Sequence, residues 1–166
     1  MSREASDQAE RVNRVGQVER VERGPGSAEP GDELTGRLGY LLKHVQQRLH
    51  ELTSAALAPY GISGRELGVL LVLDALGPTS QRDAATRLGV DRTTMVALID
   101  ALEAKSVVVR RPYEEDRRRN VVEFTEPGRE LLRQARAASD EAERRFLGAL
   151  DDAAAEGFRA QLRALL

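Results

Sequence analysis

QRDAATRLGVDRTTMVAL, residues 81–98, is the stretch that decides the fold. A helix-turn-helix needs apolar side chains inside both helices, a small residue where they cross, and glycine at a left-handed turn. Counting from Gln81, the inward slots receive Ala84, Leu88, Val90, Met95 and Leu98. Ala85 stands at the crossing and Gly89 at the turn. An ordinary helical hairpin would satisfy the same slots, so the flanking sequence has to arbitrate.

Downstream, Asp91 is placed to cap a helix running to about Ser106, with Met95, Leu98, Ile99 and Leu102 as its apolar stripe. Arg92, Thr93, Thr94 and Ala97 are left for the outer face. Val107–Arg111 and Asn120–Phe124 then read as two short strands joined by a charged tip. A helix-turn-helix followed at once by a hairpin is a winged arrangement. Upstream, Leu38, Leu41, Leu42, Val45, Leu49 and Leu52 repeat at helical spacing within a predicted helix from Leu34 to Leu57, closed by Pro59 and Gly61. Ser63 and Glu66 form a capping box for a second helix through Leu76. Ser80 caps the short third helix, and Gly89 ends it. Thr125 caps a long helix to about Leu150, with Pro127 in its first turn, and Asp151 starts the last. The predicted class is mainly α with a small β-hairpin wing.

Composition narrows the function. The 166 residues contain no Cys and two His, which excludes disulfides and thiolate metal sites and disfavours a histidine-rich one. No phosphate-binding glycine loop, His-Glu metal motif or nucleophile–base pair is present, so neither an enzyme nor a cofactor is expected. No apolar run reaches membrane-spanning length, and the first residues lack a signal peptide's apolar core. The expectation is a soluble, cytoplasmic protein. The net charge of −2 argues against a globally basic nucleic-acid binder. Local charge differs: Lys105, Arg110, Arg111, Arg117, Arg118 and Arg119 face only Glu114, Glu115 and Asp116 within residues 105–119. Arginine at a hairpin tip suits a narrow minor groove, and Asp116 can orient a neighbouring guanidinium there. Short polar groups on a helix face, Arg92, Thr93 and Thr94, suit base edges and phosphates in a major groove.

Residues 34–150 resemble the multiple-antibiotic-resistance regulator (MarR) family of winged-helix transcription factors. DRRRNVVEFTEPG, residues 116–128, is similar to the family's wing signature, with Asp116, Arg117, Arg118, Val122, Thr125 and Gly128 matching. Phe124 stands in place of Leu, Ser106 where Gly is usual, and Tyr113-Glu114-Glu115 where an Asp-Pro-containing turn is usual. LGVDRTTMVALIDALEAKSVVVR, residues 88–110, resembles the recognition helix and its run into the wing.

That resemblance implies a homodimer on a pseudo-palindromic operator, acting as a repressor. Residues 1–33 would be an arm or linker, either carrying one weak extra helix over residues 7–23 or forming a loose acidic arm. Residues 34–62 would form a dimerisation helix, 63–125 the DNA-binding domain, and 126–166 further dimerisation helices. Carried over as DNA-contacting are Ser80, Arg82, Arg92, Thr93, Thr94, Arg117 and Arg118, with Asp116 bracing the wing. The implied effector is a small anionic aromatic or phenolic acid. Arg37, Tyr40, His44 and Arg48 on the first long helix are the candidates to hold it, with His44 expected to be half-buried. A winged-helix interaction module without sequence-specific DNA binding is the alternative.

Overall fold

A computed structural model describes residues 32–113 and 120–166. The expected arm and the hairpin tip, with Asp116, Arg117 and Arg118, lie outside the described residues. In order, the elements are α1 (Asp32–Thr35), α2 (Leu38–Leu57), a 3-10 turn (Ala58–Tyr60), α3 (Gly64–Leu76), α4 (Gln81–Leu88), α5 (Arg92–Ala104), β1 (Val108–Pro112), β2 (Asn120–Phe124), α6 (Glu126–Phe146) and α7 (Asp152–Ala164). The described residues divide into two units between Leu41 and Leu42.

Side chains at the helix starts behave as their types dictate. Ser63, Ser80, Asp91, Thr125 and Asp151 each sit in extended backbone and accept from the N–H three residues on. Each such cap is worth about 1 kcal/mol. At Ser63 the capping box is complete, because Glu66 accepts in return from the Ser63 N–H at 2.8 Å. Gly89 closes α4 at φ 69, the left-handed conformation the turn requires. The predicted helix from Leu34 is broken between α1 and α2, and the predicted helix to Leu150 stops at Phe146.

One core joins the elements of the second unit. Leu57, Ile62, Leu67, Leu70, Leu73, Ala84, Met95, Ile99, Leu102, Val108 and Val122 are all buried in it. Leu132 and Ala135 of α6 belong to the same cluster, so the first half of α6 packs on the winged domain. Leu88, Val90 and Leu98 are only partly buried and pack against its rim. Residue Thr79 adds a contact the sequence did not signal. It exchanges backbone hydrogen bonds with Val122 at 3.1 and 2.9 Å, tying the α3–α4 connection to the wing strand.

Two junctions hold the wing to the helices. The Thr125 hydroxyl lies 2.7 Å from the Ser106 carbonyl and 3.1 Å from that of Val107, and it accepts from the Gly128 N–H. A Cβ on Gly128 would stand 1.9 Å from the Val107 oxygen, so only glycine fits. Ser106 itself turns the chain at φ 57, a left-handed conformation that disfavours side chains. At the other junction, Lys105 Nζ donates to the Gly61 carbonyl at 2.8 Å and pairs with Glu66 at 2.5 Å. That ties the end of α5 to the start of α3. Burial alone would push the Glu66 carboxyl up, but hydrogen bonds from Lys105 and Ser63 outweigh it and hold the pKa below the ordinary value.

Gly128→Ala is expected to cost about 3 kcal/mol through overpacking, read as a drop in the thermal midpoint. Lys105→Met strands a buried carboxylate, and the partial exposure of Lys105 limits the loss to about 2 kcal/mol at neutral pH. The folded pKa of Glu66 lies below the unfolded one, so its contribution is present above pH 4.5 and fades as pH falls through the lowered value. The gap between wild type and Lys105→Met should therefore narrow in melts recorded under increasingly acidic conditions.

Candidate nucleic-acid interface

The orientation of α5 follows from its apolar stripe. Met95, Ile99 and Leu102 are wholly buried, which turns Arg92, Thr93 and Ala97 outward as exposed residues. Thr94 is half-buried, and its hydroxyl donates to Asp91 at 2.5 Å while its N–H donates to the same carboxylate at 2.9 Å. These bonds, the hydroxyl's foremost, hold the Asp91 pKa below the ordinary carboxylate value. Thr94 thus serves the cap of its own helix, which leaves Arg92 and Thr93 as the freer outward groups. Ser80 is similarly engaged: its hydroxyl donates to Asp83 at 2.6 Å and accepts from the Asp83 N–H.

Between α4 and α5 lies a cleft of about 600 Å³ lined by Gln81, Arg82, Ala85, Thr86, Val90 and Arg92. It brings together two of the arginines picked from the sequence. Neither Arg82 nor Arg92 has an ion-pair partner among the described residues, and neither does Arg87, an exposed arginine of α4 that motif matching passed over.

The basic cluster at residues 105–119 has a different character in three dimensions. Lys105 is held by Glu66, Arg110 by Asp100 and Glu103, and Arg111 by Glu123 at 2.5 Å. All four acids lie outside the 105–119 window in which charge was counted. The described basic residues of that window are therefore matched by acids, whereas three unmatched arginines, Arg82, Arg87 and Arg92, lie together on the helix-turn-helix. Behind the wing, the Arg129 guanidinium lies 5.5 Å from the centre of the Phe124 ring, a cation–π contact available because Phe stands at this position.

The four expected effector-binding residues, Tyr40, His44 and Arg48 on α2 and Arg37 just before it, are placed less favourably. Arg37 and Arg48 are exposed and lie near Glu33 and Glu51, at 3.7 and 3.8 Å. Tyr40 is half-buried. His44 is exposed rather than half-buried, because only Leu57 of the whole helix is buried within the chain. Among the described residues no group of acids and histidines is gathered as a metal site, and no single helix is long and apolar enough to cross a membrane.

Residues 60–119 match the MarR family. A solved structure of the transcriptional repressor CouR, bound to a 23-mer DNA duplex, superposes with a TM-score of 0.77 at 32% identity, covering 84% of this chain and 99% of that one. The chain belongs to the MarR family. CouR from Rhodococcus jostii bound to p-coumaroyl-CoA superposes at 0.71 with 31% identity, over 80% of this chain and 93% of that one. Among curated proteins, the transcriptional repressor NicR of Pseudomonas putida is 29% identical over 100 residues, 60% of this chain. The match spans 63% of NicR's own length. A putative regulatory protein for the hcr operon of Thauera aromatica is 28% identical, over 72% of this chain and 73% of that protein. Membership of this family sets the chain among transcriptional regulators rather than enzymes.

Proposed function

We propose that this MarR-family protein is a homodimeric, sequence-specific DNA-binding repressor of the cytoplasm, released from its operator by a small aromatic acid or its activated ester. The observation that carries the DNA reading is the clustering of three arginines without ion-pair partners, Arg82, Arg87 and Arg92, on the helix-turn-helix, with Arg82 and Arg92 lining one cleft. Arg92 and Thr93 would reach base edges and phosphates from α5, with Thr94 supporting through the cap. Arg82 and the first N–H groups of α4, beside Ser80, would hold phosphates. Arg117 and Arg118, oriented by Asp116, would enter a minor groove from the wing. A relative of similar fold has been solved on a DNA duplex, which favours this over an interaction module.

Dimerisation is supported by burial. In α7 only Ala155 is buried, and in α2 only Leu57. Leu42, Val45, Leu162, Leu165 and Leu166 are exposed, as are Leu38 and Leu41 in the first unit. Such stripes call for an apolar cover. A two-fold pair of α5 helices would place half-sites roughly 34–36 Å apart on one face of the duplex.

For the effector, CouR has been solved bound to p-coumaroyl-CoA, the thioester of a phenolic acid rather than the small free acid expected here. His44 and Arg48, with Tyr40 earlier on the helix and Arg37 just before it, remain the proposed anion-holding groups. Their exposure within the chain means that a partner copy would have to complete any enclosed pocket.

Fluorescence anisotropy on DNA from upstream of the protein's own coding region, against a scrambled duplex, tests the main reading. Selective binding with a steep salt slope is expected, each neutralised phosphate contributing about −0.9. Arg92→Ala and Arg118→Ala should each weaken selective binding by about tenfold without lowering the thermal midpoint. Equal, weak binding of both duplexes by the wild type would favour the interaction module. His44→Ala should retain DNA affinity but require more p-coumarate or p-coumaroyl-CoA for release. Release at unchanged concentrations would put the effector site elsewhere.

A further inference from the structure

We infer that Arg110 is a positioning residue that locks the wing, the recognition helix and the first helix of the helix-turn-helix into one rigid reading head. The inference rests on the DNA-binding reading above and concerns a residue that the sequence counted only as part of a basic cluster. Arg110 sits in β1, and its side chain is 22% exposed, so the guanidinium is largely withdrawn from any phosphate. Nη1 donates to Glu103 and Nη2 to Asp100, both on α5. Its backbone N–H donates to the other Glu103 oxygen at 3.1 Å. A terminal amide atom of Gln81 on α4 lies 2.6 Å from Nε, and since it faces only donors it is assigned as the oxygen that accepts from Arg110. One planar, permanently charged group therefore ties two helices, α4 and α5, to the strand that carries it, through a guanidinium's fixed fork of donors.

The surrounding connections make the lock specific to DNA reading. Arg110 lies opposite Val122 in the hairpin register. Val122 in turn is hydrogen-bonded to Thr79, next to the Ser80 cap of α4. Both routes from the wing reach the same end of the helix-turn-helix. Asp100 and Glu103 lie past the middle of α5, away from its outward N-terminal residues, so the network sets the helix from behind. A protein that reads a major groove with α5 and a minor groove with the wing must keep a fixed offset between the two. An offset error would harm the matched duplex far more than a scrambled one, because nonspecific binding depends on charge rather than registration.

The test uses the full chain with Arg110→Gln, Arg110→Lys and Asp100→Asn, the last leaving Arg110 in place. Anisotropy on the upstream and scrambled duplexes is read across a salt series, below the melting midpoint of each variant. Arg110→Gln is expected to lose about tenfold in affinity for the upstream duplex while staying within about twofold on the scrambled one, with an unchanged salt slope. Lysine can satisfy one acid at a time and should recover part of the loss. Asp100→Asn should reduce selectivity in the same direction by a smaller factor, and it carries the test if Arg110→Gln does not fold. A salt slope shallower by about 0.9, with equal losses on both duplexes, would make Arg110 a phosphate contact and overturn the inference. Undiminished selectivity in Arg110→Lys and Asp100→Asn, beside a selective wild type, would overturn it alone. A wild type that binds both duplexes equally would remove the DNA-binding reading, and this inference with it.

Discussion

Burial of Met95, Ile99 and Leu102 fixes how α5 is rotated, and most of the candidate interface depends on that rotation. Once this stripe is sealed into the cluster with Leu70, Leu73 and Val108, Arg92 and Thr93 have no direction left but outward. The stabilisation involved is large compared with any surface contact. Fully burying a side chain of this size is worth roughly 1.5–3 kcal/mol, whereas an exposed ion pair gives about 0–1 kcal/mol. The core therefore decides the presentation of the polar face, and charge tunes it afterwards.

Charge tuning has a spatial logic. Lys105 and Arg110 both spend their charge on acids of the same domain, at junctions where one element must be held against another. Arg82, Arg87 and Arg92 have no such partner among the described residues. The division separates cations that build the domain from cations available to a polyanion. Net charge hides this division, because a chain at −2 can still present a positive face.

The two ends of the second unit are unfinished as a single chain. Residues along α2 and α7 expose leucines that a solitary globular chain would cover, while α6 begins in the winged core and continues away from it. The later part of the same helix buries Ser139 and Ala142 outside that core cluster.

Local order was legible in the sequence because its causes are local. Ser63, Ser80, Asp91, Thr125 and Asp151 cap their helices through bonds spanning three residues, and Gly89 supplies its turn by itself. The spacing of Ala84, Met95 and Ile99 likewise announced the inward face. Partnerships across the chain were not legible. Lys105 meets Glu66 from 39 positions away, and Arg136 meets Asp74 from 62. Thr79 becomes a neighbour of Val122 only when α3 and the wing pack together. Sequence proximity made residues 105–119 look like one basic patch, whereas folding supplied each described cation there with an acid from elsewhere. Flanking Leu42 and Val45 suggest burial of His44, but within the single chain it is exposed, because only packing creates burial. Pattern alone determined the elements and the inward face of the helix-turn-helix. Which charges are spent inside the domain and which face outward was decided by tertiary structure, because ion pairing depends on distance in space and not along the chain.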